Sequence, residues 1–334
     1  MRKKKKEIQN NNLQNAINKI EKMYGKGIVM NVSEDALIKS VEVIPTGSLR
    51  LDLALGVKGI PRGRVIEIYG AESSGKTTLA YSIIKQGQKI GRCAFIDAEH
   101  SFDYDYAKKI GINLDDLLIV QPDFGEQALE ILETLISSGE LVLIVVDSVA
   151  ALTPKAELEG EMEDATIGLQ ARLMSKALRK LTGIISKTKT SVIFINQTRM
   201  SIMQFGFGNP TTTSGGKALR FYASVRIELH RIKNITKGDN VLGTIIKAKI
   251  AKNKVAPPYR VAQFEIFFDE GLSESSDILQ MALKYGILQK SGAWIAYKDS
   301  NIAQGDEQAR QLLKSNNELK EELKNQILEV INKK

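Results

Sequence analysis

The sequence predicts an α/β fold in which helices flank a mostly parallel, twisted sheet. Along the 334 residues, short continuous runs of Val, Ile, Leu and Phe alternate with helical stripes of apolar residues. Such runs are typical of strands that a sheet buries on both faces, and their alternation with helices is typical of parallel sheets. The chain is 43% hydrophobic and 26% charged, an ordinary globular composition that excludes disorder throughout.

A helix is predicted before the sheet. Apolar residues recur with the spacing of one helix face at Leu13, Ala16, Ile17, Ile20 and Tyr24. Gly25 and Gly27 interrupt this pattern, so we expect residues 1–35 to form a separate N-terminal segment, a basic tail followed by the helix. The apolar stripe requires a cover, either from its own domain or from a neighbouring subunit.

The core is expected over residues 36–271. Its buried strands are predicted at 65–69, 93–97, 141–147 and 191–196. Helical stripes lie between them at 78–90, 129–136 and 178–185. Further strands at 225–229, 244–250 and 263–268 follow without long helices between them, which predicts an antiparallel extension of the sheet.

Residues 272–334 are expected to form a small, separate α/β domain. Helices are predicted at 275–285, 306–314 and 318–332, with a short strand at 294–297.

Composition excludes several classes of protein. The single Cys93 excludes a disulfide framework or a thiolate metal cage within the chain, and two histidines make a His-rich metal site a poor hypothesis. The basic residues 2–6 lack the apolar stretch of a signal peptide, and the longest apolar run, 141–146, is too short to span a bilayer, so we expect a cytoplasmic protein. The net charge of +8 favours a polyanionic partner, with a solvated tail at residues 2–6 as the alternative.

A phosphate-binding loop is predicted between the first core strand and the helix after it. The pattern G-x-x-x-x-G-K-[ST] is matched in full by Gly70, Ala71, Glu72, Ser73, Ser74, Gly75, Lys76 and Thr77. The glycines let backbone N–H groups turn toward phosphate oxygens, and the helix N-terminus adds its positive dipole end. Lys76 is expected to reach the β- and γ-phosphates, and the Thr77 hydroxyl to hold Mg²⁺. The alternative is a glycine turn with a surface lysine, since chance gives this pattern in about one chain in a hundred of this length.

Asp147 ends the apolar run at 141–146, at the edge of a parallel sheet where ligands bind. Next to a phosphate loop, a carboxylate at this position holds Mg²⁺ through its water shell. The alternative is a cap for the following helix.

Glu99 follows another predicted strand end and is a candidate general base that would polarise water for attack on a γ-phosphate. Asp97 and His100 are rivals for this role. A structural or salt-bridged carboxylate remains the alternative.

The segment 196–216 begins at the same expected edge of the sheet. Gln197 is placed to hydrogen-bond a γ-phosphate, and residues 198–216 are predicted to form a loop of glycines, hydroxyls and two aromatics. Loops of this length inside a compact domain are usually functional or disordered, and this composition suits contact with nucleic acid. Residues 159–168 form a second candidate loop, whose acidic residues disfavour phosphate contact.

In this order the motifs closely resemble the RecA family of bacterial recombination ATPases. They lie at residues 70–80, 95–100, 145–161, 194–200, 208–226, 252–258 and 291–294. The likeness runs from the first helix almost to the C-terminus, whereas helicases and kinases share only the phosphate loop and a strand-end carboxylate.

The resemblance implies roles for individual residues. It implies that residues 70–78, ending in Thr78, bind the phosphates of ATP, that Glu99 activates water, and that Gln197 senses the γ-phosphate. It implies adenine contacts from Asp103 and Tyr106. Single-stranded DNA contacts are implied for Ile167, Ser175, Arg179, Arg199, Met200, Ile202, Gly215 and Gly216. Phe221 is implied at a subunit contact.

The resemblance also implies that Lys252 and Lys254 reach into the ATP site of the next subunit, as an arginine finger does. From the residues alone, this pair would be the solvated end of a strand.

The chain departs from the family pattern at a few positions. Ala71 replaces the usual proline of the phosphate loop, Ser201 and Thr211 replace residues that are usually charged, and the stretch 205–207 is one residue longer. The sequence ends in two lysines, without the acidic tail of many relatives.

The implied function is a DNA-dependent ATPase that forms filaments on single-stranded DNA, pairs it with homologous duplex DNA and exchanges strands. The filament is also expected to promote self-cleavage of a repressor of the SOS response. A related hexameric helicase motor is the alternative within the class. A non-catalytic scaffold switched by ATP and a small-molecule kinase are further alternatives.

Overall fold

The computed structural model describes residues 2–25, 28–29, 41–161, 168–200, 211–298 and 300–333. Contacts divide the chain into two units, Met1–Val41 and Glu42–Lys334. The first unit contains α1 (Arg2–Tyr24), which confirms the helix predicted from the apolar spacing. The helix also includes the basic residues 2–6, which were predicted to form a tail before it. Leu13 and Tyr24 on this helix are 61% and 68% exposed.

The second unit contains the remaining described helices and strands. The helices are α2 (Leu49–Leu55), α3 (Lys76–Gly87), α4 (Tyr104–Ile110), α5 (Gly125–Ser138), α6 (Lys155–Glu159), α7 (Leu169–Thr188), α8 (Ala218–Tyr222), α9 (Glu274–Lys284), α10 (Gly305–Ser315) and α11 (Asn317–Asn332). Short 3₁₀ helices lie at Leu114–Asp116 and Val149–Ala151. The first strands are β1 (Val43–Ile44), β2 (Ile60–Pro61), β3 (Val65–Gly70), β4 (Arg92–Asp97), β5 (Leu117–Val120), β6 (Leu141–Asp147), β7 (Ser191–Met200) and β8 (Thr211–Thr213). The later strands are β9 (Val225–Lys237), β10 (Asn240–Asn253), β11 (Val261–Phe267), β12 (Gly271–Leu272), β13 (Gln289–Ser291), β14 (Trp294–Tyr297) and β15 (Ser300–Gln304).

The large sheet has the strand order β12-β11-β10-β9-β3-β7-β6-β4-β5. Pairing is parallel from β9 through β3, β7, β6 and β4 to β5, and antiparallel from β9 to β12. The predicted fold class, including the antiparallel extension, is therefore confirmed. The carboxyl ends of β3, β4, β6 and β7 meet at one edge of the sheet, where the candidate site lies.

Alternate residues of the central strands pack on opposite faces of the sheet, as strand geometry requires. On one face, Ile66 and Ile193 belong to a cluster that includes Leu79 of α3. On the other face, Val192 belongs to a cluster that includes Leu178 of α7. Burial on both faces explains why these strands are continuous apolar runs.

The C-terminal residues form helices α9–α11 around the antiparallel sheet β13-β14-β15. Asp277 of α9 is fully buried and accepts hydrogen bonds from the Ser48 hydroxyl and from Arg50 Nε, which ties this region to α2. Arg310 of α10 pairs with Glu270 and lies 3.9 Å from the centroid of the Phe267 ring.

The predicted loop over 198–216 is wrong in part, because strands occupy residues 198–200 and 211–213. Strand β7 continues to Met200, and β8 pairs with it in antiparallel register from Thr198↔Thr213 to Met200↔Thr211. Because the run 196–199 is polar, it lacks the apolar pattern that predicts the strand before it. Residues 201–210 lie outside the described residues.

Candidate functional site

The phosphate loop joins β3 to α3, as predicted. Gly75 has φ +83°, a left-handed conformation that favours glycine, immediately before the first residue of α3. A Cβ on Gly70 would lie 2.4 Å from the carbonyl oxygen of Leu229 on the neighbouring strand. Both glycines are therefore required by the backbone and its packing.

The Lys76 ammonium lies over this loop and donates to the carbonyl oxygens of Gly70 (3.3 Å) and Ala71 (2.8 Å). Burial lowers the pKa of Lys76, against the opposing effect of Asp147 and Glu99. The hydroxyl of Ser74 is buried and has no hydrogen-bond partner among the described residues. A cation and an unpaired hydroxyl in a glycine loop fit a polyphosphate, which would supply the missing acceptors.

Thr77 and Asp147 meet at the carboxyl edge of the sheet, where the Thr77 hydroxyl donates to Asp147 Oδ2 at 2.8 Å. Burial raises the pKa of Asp147 to about 6. A hydroxyl and a carboxylate are the oxygen ligands that Mg²⁺ prefers, so the pair predicted to hold this ion fits it.

Glu99 is exposed beside this pair. Its Oε1 accepts hydrogen bonds from the Ser148 hydroxyl and from Gln197 Nε2, the latter at 3.4 Å. Asp97, in contrast, is fully buried and accepts from the backbone of the following turn and from Gln121. The geometry favours Glu99 over Asp97 as the carboxylate open to a substrate.

Two neighbouring residues near the end of β7 connect Glu99 to the segment that follows residues 201–210. Gln197 contacts Glu99, while the preceding Asn196 donates to Glu67 (2.9 Å) and to the carbonyl of Ser214 (3.0 Å). Glu67 in turn pairs with Arg226 of β9. The strand that ends at the candidate site is thus bonded to the segment that follows residues 201–210.

Gly215 and Gly216 pack against the start of α7. The Gly215 amide donates to Gln170 Oε1 at 3.2 Å, and a Cβ on Gly216 would lie 2.7 Å from the Cβ of Ala171. Ala171 also lines an open cavity of about 380 Å³ with Ser175 and Arg179. The structure therefore brings together four of the residues predicted to contact DNA.

The other predicted DNA contacts are placed in part. Arg199 and Met200 end strand β7, and Ile167 and Ile202 lie outside the described residues.

The predicted adenine residues lie at the start of α4. Asp103 caps this helix by accepting from the Tyr106 amide at 2.8 Å. Burial raises the pKa of Tyr106, against the opposing effect of the Thr78 side chain. Thr78 lies in α3, the helix that follows the phosphate loop.

Lys252 and Lys254 lie far from the phosphate loop of their own chain. Lys252 is opposite Arg226, which is opposite Glu67, three residues before Gly70. Two spacings between neighbouring strands, combined with the rise of three residues along a strand, place the backbones of Lys252 and Gly70 roughly 14 Å apart. Lys252 Nζ instead donates to the carbonyls of Arg220 and Phe221.

Phe221 itself is 70% exposed on the short helix α8. This aromatic side chain and the exposed Lys254 lie on the surface of the single chain.

Three contacts at this site were not predicted from the sequence. They are the hydrogen bond from Ser148 to Glu99, the hydrogen bond from the Gly215 amide to Gln170, and the Glu67–Arg226 ion pair. Ser148 follows Asp147 directly, and that adjacency was an available clue. Gln170 and the Glu67–Arg226 pair carry no local pattern, since their partners are distant in the sequence.

A glycine loop between a central parallel strand and a helix, with a lysine over it and a threonine–aspartate pair beside it, defines a P-loop nucleotide-binding protein. A model of the RecA N-terminal domain matches residues 11–273, and a model of the RecA C-terminal domain matches residues 276–332. The chain belongs to the RecA family, whose members are DNA-dependent ATPases of recombination and DNA repair.

Curated relatives agree over nearly the full length. The chain is 57% identical to Protein RecA of Bacteroides thetaiotaomicron over 96% of this chain and 97% of the relative. It is 56% identical to Protein RecA of Geobacter sulfurreducens, over 94% and 93% of the two chains. For Protein RecA of Wolinella succinogenes the identity is 54%, over 95% and 90%. The predicted family is confirmed. No helix in the described part of the chain is long and apolar enough to cross a membrane.

Proposed function

We propose that this chain is a DNA-dependent ATPase that assembles into filaments on single-stranded DNA and exchanges strands with homologous duplex DNA. The filament would also promote self-cleavage of an SOS repressor, and the protein would act in the cytoplasm. Family membership supports this proposal, and so do the contacts between the nucleotide site and the segment that carries the DNA-binding glycines.

The nucleotide site would bind ATP through the phosphate loop and Thr78. Asp103 and Tyr106 would hold the adenine, and Mg²⁺ held by Thr77 and Asp147 would offset the charge of the phosphates. The buried, unpartnered Ser74 hydroxyl and the lowered pKa of Lys76 support a polyanion here.

Glu99 would take the proton of the attacking water. Its bonds to Ser148 and Gln197 hold the carboxylate at the carboxyl edge of the sheet, beside the phosphate loop. Lys76 and Gln197 would both interact with the γ-phosphate.

Two hydrogen bonds at the end of β7 would couple ATP to DNA. Gln197 bonds Glu99, and its neighbour Asn196 bonds the carbonyl of Ser214, directly before Gly215 and Gly216. A change at the γ-phosphate would therefore move the base of the DNA loop. Single-stranded DNA would lie along Ser175 and Arg179 of α7, the loop glycines, and the predicted contacts at Ile167, Arg199, Met200 and Ile202.

Subunits would join through surfaces that a single chain leaves uncovered. Phe221 is exposed, as are Leu13 and Tyr24 of the apolar stripe of α1, and Lys252 is roughly 14 Å from its own phosphate loop along the sheet. Lys252 and Lys254 would therefore complete the ATP site of a neighbour. In this arrangement residues 1–35 contact the adjacent subunit, residues 36–271 form the ATPase core, and residues 272–334 form a small C-terminal domain.

ATP hydrolysis with and without single-stranded DNA tests the proposal. We expect DNA to stimulate turnover in the wild type, and Gln197→Met to lose that stimulation while nucleotide binding persists. Gln311→Met, the same change on the exposed face of α10, serves as the control. Absence of DNA-stimulated turnover in the wild type would remove the recombinase function and favour a non-catalytic scaffold.

Electron microscopy of the protein on single-stranded DNA distinguishes the recombinase from a hexameric helicase. Open helical filaments support the recombinase, whereas closed rings would favour the hexameric helicase.

A further inference from the structure

Strand β11 has an outer edge that β12 covers only in part. Residues Arg260, Ala262 and Phe264 face β10, since Ile250 N donates to Arg260 O and the register continues through Ala248↔Ala262. Period-two geometry turns the backbone groups of Val261, Gln263 and Glu265 to the other side. Glu265 O accepts from Ser273 N, and β12 pairs only with Ile266 and Phe267.

Val261 and Gln263 therefore present unpaired amide and carbonyl groups on this edge, within the described part of the chain. The two residues are exposed, and their groups recur at roughly 7 Å, the repeat with which an added strand would pair. Unpaired strand edges are the template for pairing with another extended segment.

A groove of about 510 Å³ lies along this edge, between β11, α2 and α9. Leu53, Ala54 and Met281 supply apolar lining, and Arg50, Arg260 and Lys284 supply positive charge. Among the residues that the structure describes, no aspartate or glutamate lines the groove. Its charge therefore complements an acidic occupant.

The cations have capacity left for a ligand. Arg50 bonds Asp277 through Nε, which leaves its two terminal nitrogens available. Arg260 uses one terminal nitrogen on the carbonyl of Leu53 at 3.4 Å, and Lys284 lies 5.9 Å from the Tyr285 ring centroid.

We propose that this groove docks an extended, acidic segment of a partner protein, which adds a short strand to β11 at Val261 and Gln263. Main-chain hydrogen bonds supply binding in this mode, and side-chain pockets and charges supply selectivity. An extended peptide can pair with the main-chain donors and acceptors on the edge of β11. Nucleic acid would contact only the three cations. The groove lies on the antiparallel half of the sheet, and its proposed role does not depend on ATP or DNA.

Fluorescence anisotropy with the full chain, without nucleotide, tests this docking. The probe is a labelled ten-residue peptide of alternating Glu and Val. The same peptide with alternate backbone amides methylated keeps the charge but cannot pair as a strand. An unlabelled oligo(dT) serves as the nucleic-acid competitor.

Two variants separate charge from strand pairing. Arg260→Glu with Lys284→Glu reverses the charge of the groove. Gln263→Pro removes one outward amide, a change that edge strands accept when the N–H faces away from the ladder. Arg231→Glu with Lys233→Glu makes the same charge change on an exposed part of β9. Urea unfolding midpoints establish that each variant is folded.

We expect saturable binding of the Glu-Val peptide, weakened at least about tenfold in the charge-reversal variant, in Gln263→Pro and with the methylated peptide. Hydrogen exchange at the Val261 and Gln263 amides should slow when the peptide binds, and the control variant should bind as the wild type does. Equal binding of the methylated peptide would overturn the strand-addition mode. Displacement by oligo(dT) that also requires Arg260 and Lys284 would make the groove a nucleic-acid site instead, and no saturation up to about 1 mM peptide would exclude docking.

Discussion

Asp97 ends strand β4 and Glu99 follows it by two residues, yet the two carboxylates differ in burial and in hydrogen bonding. Asp97 is enclosed and satisfied by two backbone amides and the Gln121 amide. Glu99 is exposed and held by two side chains whose own positions depend on neighbouring strands. The first carboxylate fixes the turn, and the second is exposed at the site where we propose that it accepts a proton from water.

Replacing Glu99 by glutamine should remove the base and keep the shape. We expect turnover to fall by at least about a hundredfold, the usual scale for a lost general base, while ATP binding and DNA-bound filaments persist. Steady-state hydrolysis, nucleotide binding and electron microscopy measure the three properties.

Asp97→Asn is the matched control for Glu99→Gln. It should lower the urea midpoint because it disturbs the three hydrogen bonds of a buried carboxylate, whereas Glu99→Gln should not. Hydrolysis by Glu99→Gln near the wild-type rate would assign the base to another residue.

Asp52 of α2 gives the nucleotide-free protein a pH-dependent stability. Burial raises the pKa of Asp52 to about 7, helped by the nearby Asp277 and opposed by Thr46 and Lys324. The folded chain then holds a proton that the unfolded chain releases. This contribution to stability is complete below about pH 4 and is lost as the pH rises through about 7.

We therefore expect Asp52→Asn to flatten the pH dependence. Between pH 5 and 8 the wild type should lose about 2.6 kcal/mol more stability than the variant, at about 1.4 kcal/mol per unit below the pKa. Urea unfolding at several pH values measures the difference, with exposed Asp115→Asn as control. Parallel curves for the wild type and Asp52→Asn would show that Asp52 stays ionised in the fold.

At the scale of elements, one side chain joins α7 to the loop that carries Gly215 and Gly216, where we propose that DNA binds. Gln170, in the first turn of α7, donates to the Val149 carbonyl at 2.8 Å and accepts from the Gly215 amide. Val149 begins the 3₁₀ helix two residues after Asp147. The glutamine thus links the loop to the strand end that carries the candidate metal ligand.

Gln170→Met should loosen that link. Losing two hydrogen bonds of about 0.5–1.5 kcal/mol each predicts roughly tenfold weaker binding of single-stranded DNA, with nucleotide binding unchanged. Anisotropy of labelled oligo(dT) at one fixed salt concentration measures this effect. Gln170→Glu keeps the acceptor for Gly215 and should be intermediate. Unchanged affinity in Gln170→Met would mean that this side chain does not position the loop.

How far the sequence predicts an element depends on its burial. Strands β3, β4, β6 and β7 were recognised because both faces are buried, which makes their residues continuously apolar. β5 was missed because it is short and lies half-exposed at the sheet edge. β9 and β10 were recognised only over their buried parts, since beyond Leu229 the hairpin leaves the core and its residues become polar.

Some features of the candidate site can likewise be predicted from the sequence, and others cannot. The phosphate loop is contiguous in sequence, so its pattern is visible without a structure. The contact between Ser148 and Glu99 joins residues 49 apart, and the Glu67–Arg226 pair joins residues 159 apart. Such contacts are created by strand order and have no local pattern.

At the scale of the whole molecule, the proposed trans site predicts complementation. Glu99→Gln and Lys254→Ala would damage opposite faces of one interface, and each variant alone should be nearly inactive, because a trans cation contributes on the order of 10³-fold. In an equal, randomly assembled mixture, about one interface in four pairs two intact residues. DNA-stimulated hydrolysis should therefore recover to roughly a quarter of the wild-type rate.

The mixture has to be formed from disassembled subunits, with co-assembly shown by labelled proteins. Co-assembled filaments without recovery would assign Lys254 to its own subunit's site or to a structural role.

Lys252 lies far from the phosphate loop of its own chain. If it completes a neighbour's ATP site, the rate of ATP hydrolysis per subunit depends on the number of subunits in the assembly. A surface that donates lysines and a different surface that receives them form a heterologous contact, which extends head to tail rather than closing as a symmetric pair. A polymer of n subunits then contains n − 1 complete sites, and the subunit at one end always lacks its neighbour's cations. Hydrolysis per subunit would be about half-maximal in a pair and about nine tenths of maximal in ten subunits, so the two ends of each polymer would differ chemically.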